Sequence, residues 1–188
     1  AAKVGGVWES VQRRPVAVVV DALAQFAYVA RSGDSGATAL VAYSIDGNTG
    51  ALTPRSGTSE YSSVPYPQAM ALSPSGTQLY VAGNGSGGGA QLVVHAVTSV
   101  TGGLGAASAA ATWSGYQVSA LAVDPQGRFV VVGLTHTSSS LKRLAVFRRN
   151  TSDGTLTAWS TLIDPVTLPS ALAIDPGAHA VVLMDQAG

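Results

Sequence analysis

The sequence predicts an all-β chain built of four-stranded antiparallel β-propeller blades, with about three and a half blades present. Two observations predict it. One apolar pattern recurs at intervals of about 51 residues, with Ala17, Ala69, Ala120 and Ala171 in the same column. Each interval also holds several short β-type segments separated by turn residues. A period of roughly 40–50 residues with about four strands per unit is the mark of propeller blades. No long segment keeps a 3.6-residue period, so no helix is expected.

The repeats align over Pro15–Asp21, Pro67–Ser73, Val118–Asp124 and Pro169–Asp175. This first strand alternates small and apolar residues, as in Ala69-Met70-Ala71-Leu72, which suits passage near a crowded axis. It ends in a turn, Ser73-Pro74-Ser75-Gly76 or Asp124-Pro125-Gln126-Gly127, where Pro fixes the bend and Gly takes positive φ. The second strand is richer in β-branched and aromatic residues: 26–30, 78–82, 129–133 and 180–184. A polar loop that differs in every copy follows, at 32–38, 84–89 and 135–140. The third strand is 40–45, 92–97 and 144–148, and a Gly-containing hairpin such as Asp46–Leu52 leads out of it. The fourth strand is the weakest, around 53–58, 108–114 and 157–162, as befits a half-solvated outer edge.

One propeller domain is therefore expected, divided at 1–14 (an outer strand of a preceding blade), 15–65, 66–116, 117–168 and 169–188 (the first two strands of a further blade). This count does not close a ring of four to eight blades. Either the chain is a segment of a larger protein, the expected case, or a partner chain completes the ring.

Composition narrows the function classes. Charged residues are 11% against about 25% for an ordinary domain, and the hydrophobic share is 46%. The formal net charge is zero, without the basic excess of a nucleic-acid or anionic-membrane binder. There is no cysteine, so disulfides and thiolate metal sites are excluded. No apolar run reaches the roughly 18 residues of a membrane span. The low charge and Ser/Thr-rich loops suit an extracellular, cell-surface or periplasmic protein, and Asn84 and Asn150 open N-x-Ser sequons that could carry glycans in such a setting.

The repeats resemble the lactonase-family (6-phosphogluconolactonase-like) seven-bladed propellers and the bacterial surface repeats with a Tyr-Val-Thr-Asn motif. The residues that carry this are Phe26–Ala30, Ala42–Asp46, Thr49–Thr53, Ala69–Gly76 with Leu79–Ala82, and Ala122–Phe129. The resemblance spans residues 15–184 and implies the fold. It also implies, as an alternative function, a lactone hydrolase or isomerase whose His, Arg and Glu side chains gather over the central funnel. The chain departs from the surface-repeat motif, with Ala30-Arg31 and Ala82-Gly83 after Tyr-Val.

No catalytic set is recognisable. His95 shares a column with Tyr43 and Phe147 and reads as an aromatic slot. His179 reads as a turn residue. His136 lies on the variable-loop face, where binding residues concentrate. Asp21, Asp124 and Asp175 share one column and are expected to accept backbone N–H bonds in their turns. Asp46-Gly47-Asn48 lacks the further oxygen ligands of a calcium loop, and Gly83–Gly89 lacks the Lys-Ser/Thr ending of a phosphate loop. No metal or other cofactor is expected. Trp8, Trp113 and Trp159 are expected to cap the gaps between blades. The leading functional expectation is a non-catalytic scaffold or protein-interaction module that displays Arg31, Asp34, Asn84 and His136 on one loop face, with a protein partner or the rest of a larger assembly.

Overall fold

A computed structural model describes residues 13–33, 39–55, 60–139, 141–159, 169–175, 177 and 181–185. The described residues form sixteen strands and no helix. Blade 1 contains β1 (Arg13–Val20), β2 (Phe26–Gly33), β3 (Ala39–Ile45), β4 (Leu52–Pro54) and β5 (Glu60–Ser62). Blade 2 contains β6 (Tyr66–Leu72), β7 (Gln78–Asn84), β8 (Ala90–Thr98), β9 (Gly103–Leu104) and β10 (Ser108–Trp113). Blade 3 contains β11 (Tyr116–Val123), β12 (Phe129–His136), β13 (Lys142–Arg149) and β14 (Leu156–Ala158). A fourth sheet pairs β15 (Pro169–Ile174) with β16 (Val181–Asp185).

Every pairing is antiparallel, and each sheet is a meander from its inner strand outward. The inner strands β1, β6, β11 and β15 pack in succession. That adjacency makes the sheets blades around an axis rather than layers of a sandwich.

The core lies in the joints between blades. Side chains alternate across each sheet, so every blade has a trailing face toward the next blade and a leading face toward the previous one. Tyr28, Ala30, Leu40 and Ala42 on blade 1 meet Met70, Leu79, Val81 and Val93 on blade 2. Tyr80, Ala82 and Leu92 on blade 2 meet Val130, Val132, Leu134 and Phe147 on blade 3. Tyr28, Tyr80 and Val131 occupy one column and are all buried.

The inner turns are built as the Asp column predicts. Asp21 accepts the backbone N–H of Leu23, Gln25 and Phe26, Asp124 those of Gln126 and Arg128, and Asp175 that of Gly177. Ser73, the odd member of the column, accepts the N–H of Gln78. Burial would raise the Asp124 carboxyl, but bonds from Arg128 and Gln126 hold it below the ordinary range. The third residue after this column has positive φ: Gly76, Gly127 and, in blade 1, the non-glycine Ala24 at 52°.

The outer strands differ from expectation. Blade 1 carries two short outer pieces, β4 on Tyr43–Ile45 and β5 on Ala39–Val41. Pro54 is the last residue of β4 and faces Tyr43 at a position that needs no N–H, and beyond it the Arg55 N–H still donates to the Ala42 carbonyl. Blade 2 is split likewise into β9 on Val97–Thr98 and β10 on Ala90–Val94. Trp113 caps a joint as expected, meeting Phe147 edge-on across blades 2 and 3 at 6.1 Å. Trp159 does not. It stands one residue past β14 and packs within its own blade, on Phe129 at 5.8 Å and beneath Arg148 at 5.4 Å, while 56% exposed. Trp8 and His179 lie outside the described residues.

Candidate functional site

One end of the blades gathers the start of each inner strand and the end of each second strand. The terminal pairs there are Arg13–Gly33, Tyr66–Asn84, Tyr116–His136 and Pro169–Asp185. Three of the four predicted loop-face residues belong to this end; Asp34 lies outside the described residues. The structure gives the three different tasks.

Arg31 is buried near the end of β2 and forms an ion pair with Glu60 of β5 at 2.5 Å. It shares a column with Leu134, whose side chain packs against blade 2. Arg31 therefore stands on the leading face of blade 1, turned away from the other two. Asn84 points across a joint: its Oδ1 accepts the backbone N–H of Val118 on blade 3 at 3.1 Å. His136 stacks edge-on against Tyr116 with centroids 4.9 Å apart, and its Nδ1 accepts the N–H of Ser138 at 3.2 Å. With Nδ1 so engaged, the neutral ring carries its proton on Nε2, so His136 is a hydrogen-bond donor rather than a ready base. Thr137 ties this corner to Gly115 through both its N–H and its hydroxyl.

The same end holds a feature that went unassigned in the sequence. Each of the four inner strands has a register shift just before the alanine that recurs in its column: Pro15/Ala17, Pro67/Ala69, Val118/Ala120 and Pro169/Ala171. At each shift one residue falls between paired positions: Val16, Gln68, Ser119 and Ser170. Bulges re-aim a side chain, and they concentrate at rims and beside active sites. The inner strand pairs on one side only, so its other edge borders the axis. The bulge column thus lies at one end of that axial edge. Val16, Gln68 and Ser170 are exposed, whereas the Ser119 hydroxyl is buried and has no hydrogen-bond partner among the described residues. The sequence did hold a signal for this column: a position of changing polarity, Val/Gln/Ser/Ser, between an invariant-looking Pro or Val and an invariant Ala.

Gln68 and Ser170 of this column, with Tyr66, Tyr116, Gln117 and His136 of the terminal pairs, bring amides, hydroxyls and one imidazole to this end of the inner strands. Such a set can hold a neutral, hydroxyl-rich ligand by donor and acceptor pairs. Among the described residues no group of three or more His, Cys, Asp or Glu could hold a metal ion.

Comparison with known structures agrees with the architecture. The Pseudomonas aeruginosa periplasmic gluconolactonase superposes with a TM-score of 0.69 at 19% identity, covering 93% of this chain and 47% of that one. A candidate 6-phosphogluconolactonase from Bacteroides uniformis gives 0.68 at 14% identity, with 92% and 48% covered. The hydrazine synthase of Kuenenia stuttgartiensis also matches, at 0.60 and 16% identity, with 89% and 48% covered. The chain spans about half the length of these structures. No protein-family profile matches the sequence, and no curated protein matches it significantly. At such identities the likeness concerns the fold: the chain is an arc of antiparallel blades with the architecture of the lactonase-type propellers.

Proposed function

We propose that this arc forms part of the wall of a lactone-directed propeller, which binds a small, neutral, polyhydroxylated lactone at the channel mouth and opens its ring. The observation that carries the reading is the bulge repeated in all four inner strands, which lifts Gln68, Ser119 and Ser170 out of the ladders at one rim. The fold shared with a gluconolactonase adds support. Lactone hydrolysis needs a positioned water and donors aimed at the carbonyl oxygen as it gains negative charge. The Gln68 amide and the Nε2–H of His136 are donors of the required kind, and neither needs a metal.

The test uses glucono-δ-lactone as probe, with ring opening followed by acid release in a pH-stat above the spontaneous rate. Turnover that falls at least tenfold in Gln68→Ala is the expected result. No turnover above background, together with no shift of thermal midpoint on adding the lactone, would overturn it. One observation favours the alternative of a rigid display scaffold: Asn84 is engaged in joining two sheets, and Arg31 in tying β2 to β5 within one. In that case the His136→Ala and Gln68→Ala proteins would lose a protein partner and no chemistry.

A further inference from the structure

The outer edge of blade 2 differs from those of its neighbours. β10 ends the strand order β10-β8-β7-β6, and no described strand pairs with its far side. Such an edge presents a row of backbone N–H and C=O groups without partners, and proteins blunt it with short strands, prolines or charges. Among the described residues, the other main outer pieces are blunted in this way. β4, β5 and β14 are three residues each, β4 carries Pro54, and β5 carries Glu60. β10 runs for six residues, Ser108-Ala109-Ala110-Ala111-Thr112-Trp113, with no proline and no charge. Its bulge at Ala109/Ala111 bends the strand but leaves Ala111, Thr112 and Trp113 in regular register.

β10 also borders a cleft of about 410 Å³, whose other wall is the hairpin 153–156 of blade 3. A small residue opens it. Gln78 pairs with Ala96, whereas Phe26 pairs with Ser44 and Phe129 with Arg148 in the same columns. Ser108 pairs with Val94, so its side chain stands on the cleft side of the sheet. Ala106 and Leu156 add apolar wall. At the base the Gln78 amide is engaged at both ends, donating to the Gly154 carbonyl and accepting from Tyr80 and Arg149. The cleft therefore suits an aliphatic side chain better than a polar one. Asp153 is the one charged residue that lines it, and it is exposed. Its Oδ1 accepts both the N–H and the hydroxyl of Thr155, at 2.8 Å each, which fixes the carboxylate at the rim.

We infer that the far side of β10 takes an extended segment of a partner protein as a further strand of blade 2, with an aliphatic side chain in the cleft and a Lys or Arg against Asp153. The edge supplies main-chain hydrogen bonds, and every second side chain of an added strand falls on the cleft side. A single negative charge on an otherwise uncharged wall selects a cationic segment over an acidic one. A free polyol or a small anion matches neither the strand edge nor the apolar wall. The inference rests on the outer edge of blade 2 and not on the lactone reading, so either can fail without the other.

Fluorescence anisotropy with a dye-labelled, end-capped peptide Val-Thr-Lys-Thr-Val-Thr tests it, since Val, Lys and Val share one face of the extended chain. Saturable binding with Kd below about 1 mM is expected. Glu in place of the peptide Lys, or Asp153→Asn in the protein, should weaken binding about threefold, the share of an exposed ion pair. Asn keeps an acceptor for Thr155, so the hairpin should stay in place. Ala106→Leu, at an exposed position, fills the cleft and should weaken binding at least about fivefold with an unchanged thermal midpoint. Two N-methylated peptides read the main chain, one methylated at its three Thr residues and one at Val, Lys and Val. Alternate N–H groups point toward the edge, so one set should abolish binding and the other should be tolerated. No binding up to about 1 mM overturns the inference. So does binding that both methylated sets leave intact, or that neither Asp153→Asn nor Ala106→Leu weakens. A dimer of the free chain whose β10 amides are protected from hydrogen exchange would give the edge to a second copy, and overturns it as well.

Discussion

Arg149 on blade 3 donates from Nε to the hydroxyl of Tyr80 on blade 2 at 2.8 Å, inside a joint where Arg149 is only 6% exposed. The same Nε lies 2.8 Å from Gln78 Oε1, and Nη1 donates to the Gly127 carbonyl at 3.2 Å. Tyr80 in turn donates to Gln78 Oε1, and the Gln78 amide donates to the Gly154 carbonyl. In the joint between blades 1 and 2, Arg55 Nε donates to the Thr101 carbonyl, but the columns of Gln78 and Arg149 are apolar. There Phe26 stands in the column of Gln78 and Val97 in that of Arg149, and both pack on the apolar cluster. At these two columns one geometry is thus realised twice, once apolar and once polar.

Removing the cation from the polar joint should be costly, because Tyr80 and Gln78 would be left buried and underbonded. Arg149→Val is expected to lose about 2–4 kcal/mol of unfolding free energy in urea. Gln78→Phe combined with Arg149→Val rebuilds the apolar version, with a ring set against Gly154 as Phe26 is set against Gly102. The double variant should recover to within about 1 kcal/mol of the parent. A double variant less stable than the single one would mean that the two joints are not interchangeable.

Tyr28 and Tyr80 share a column but not a hydrogen-bonding state. The Tyr28 hydroxyl is buried with no partner among the described residues. Burial first, and then the Asp21 charge, push it up to about 12. Tyr28→Phe at pH 7 should therefore change stability by less than about 1 kcal/mol, whereas Tyr80→Phe, which takes an acceptor from Arg149, should cost about 1–2 kcal/mol. Because the folded value lies above the unfolded one, the neutral Tyr28 contributes its full stability below pH 10. That contribution drains away between pH 10 and about 12, as the unfolded chain ionises and the folded one does not. Urea midpoints across that window should fall less steeply in Tyr28→Phe than in the parent.

His95 fills the aromatic slot of β8 as the sequence predicts, but as a hydrogen-bonded residue. Its Nδ1 is 2.9 Å from the Gly105 carbonyl and its Nε2 is 3.1 Å from Ser63 Oγ. A carbonyl can only accept, so Nδ1 carries the proton and Ser63 donates to Nε2. Burial holds the ring below the usual imidazole range. The unfolded chain then takes up a proton near pH 6.5 that the folded chain refuses, and stability should fall as pH drops through that region. His95→Phe, which copies Phe147, should flatten the loss between pH 8 and pH 5 at a cost of about 1–2 kcal/mol at pH 8, where Ser63 and Gly105 lose their partner. An acid limb unchanged in the variant would assign the loss to carboxylates such as Asp124, which act at lower pH.

The blade architecture was legible because a repeat reports one local solution four times. The Asp column, the turn glycines and the second-strand aromatics each stood out by recurrence, and a position such as Ala24 is recognisable as strained only because Gly76 and Gly127 occupy its column. The joints were less legible. That Gln78 and Arg149 replace Phe26 and Val97 as a pair follows from contacts between blades 71 residues apart in sequence, and no local pattern encodes them. The rim was least legible. Arg31, Asn84 and His136 were singled out for polarity on a loop face, yet Arg31 and Asn84 are consumed by structure. The bulge column shows in the sequence only as a position of changing polarity, because a register shift is a property of two paired strands, not of one.

Asn84 can separate structure from function at that rim. Its Oδ1 is the acceptor for Val118 N–H, at the position where the β11 bulge begins. Asn84→Ala leaves that half-buried donor unpaired and should cost about 1–2 kcal/mol. Asn84→Asp keeps an oxygen in place and should retain most of the stability, while removing the amide N–H donors that alone could serve a ligand. If Asn84 is a strut, Asp behaves like the parent in both urea unfolding and lactone turnover, and only Ala is impaired. If its amide also reaches a ligand, Asp should unfold like the parent and still lose turnover, with the change falling on KM when the contact is equally strong in ground and transition states.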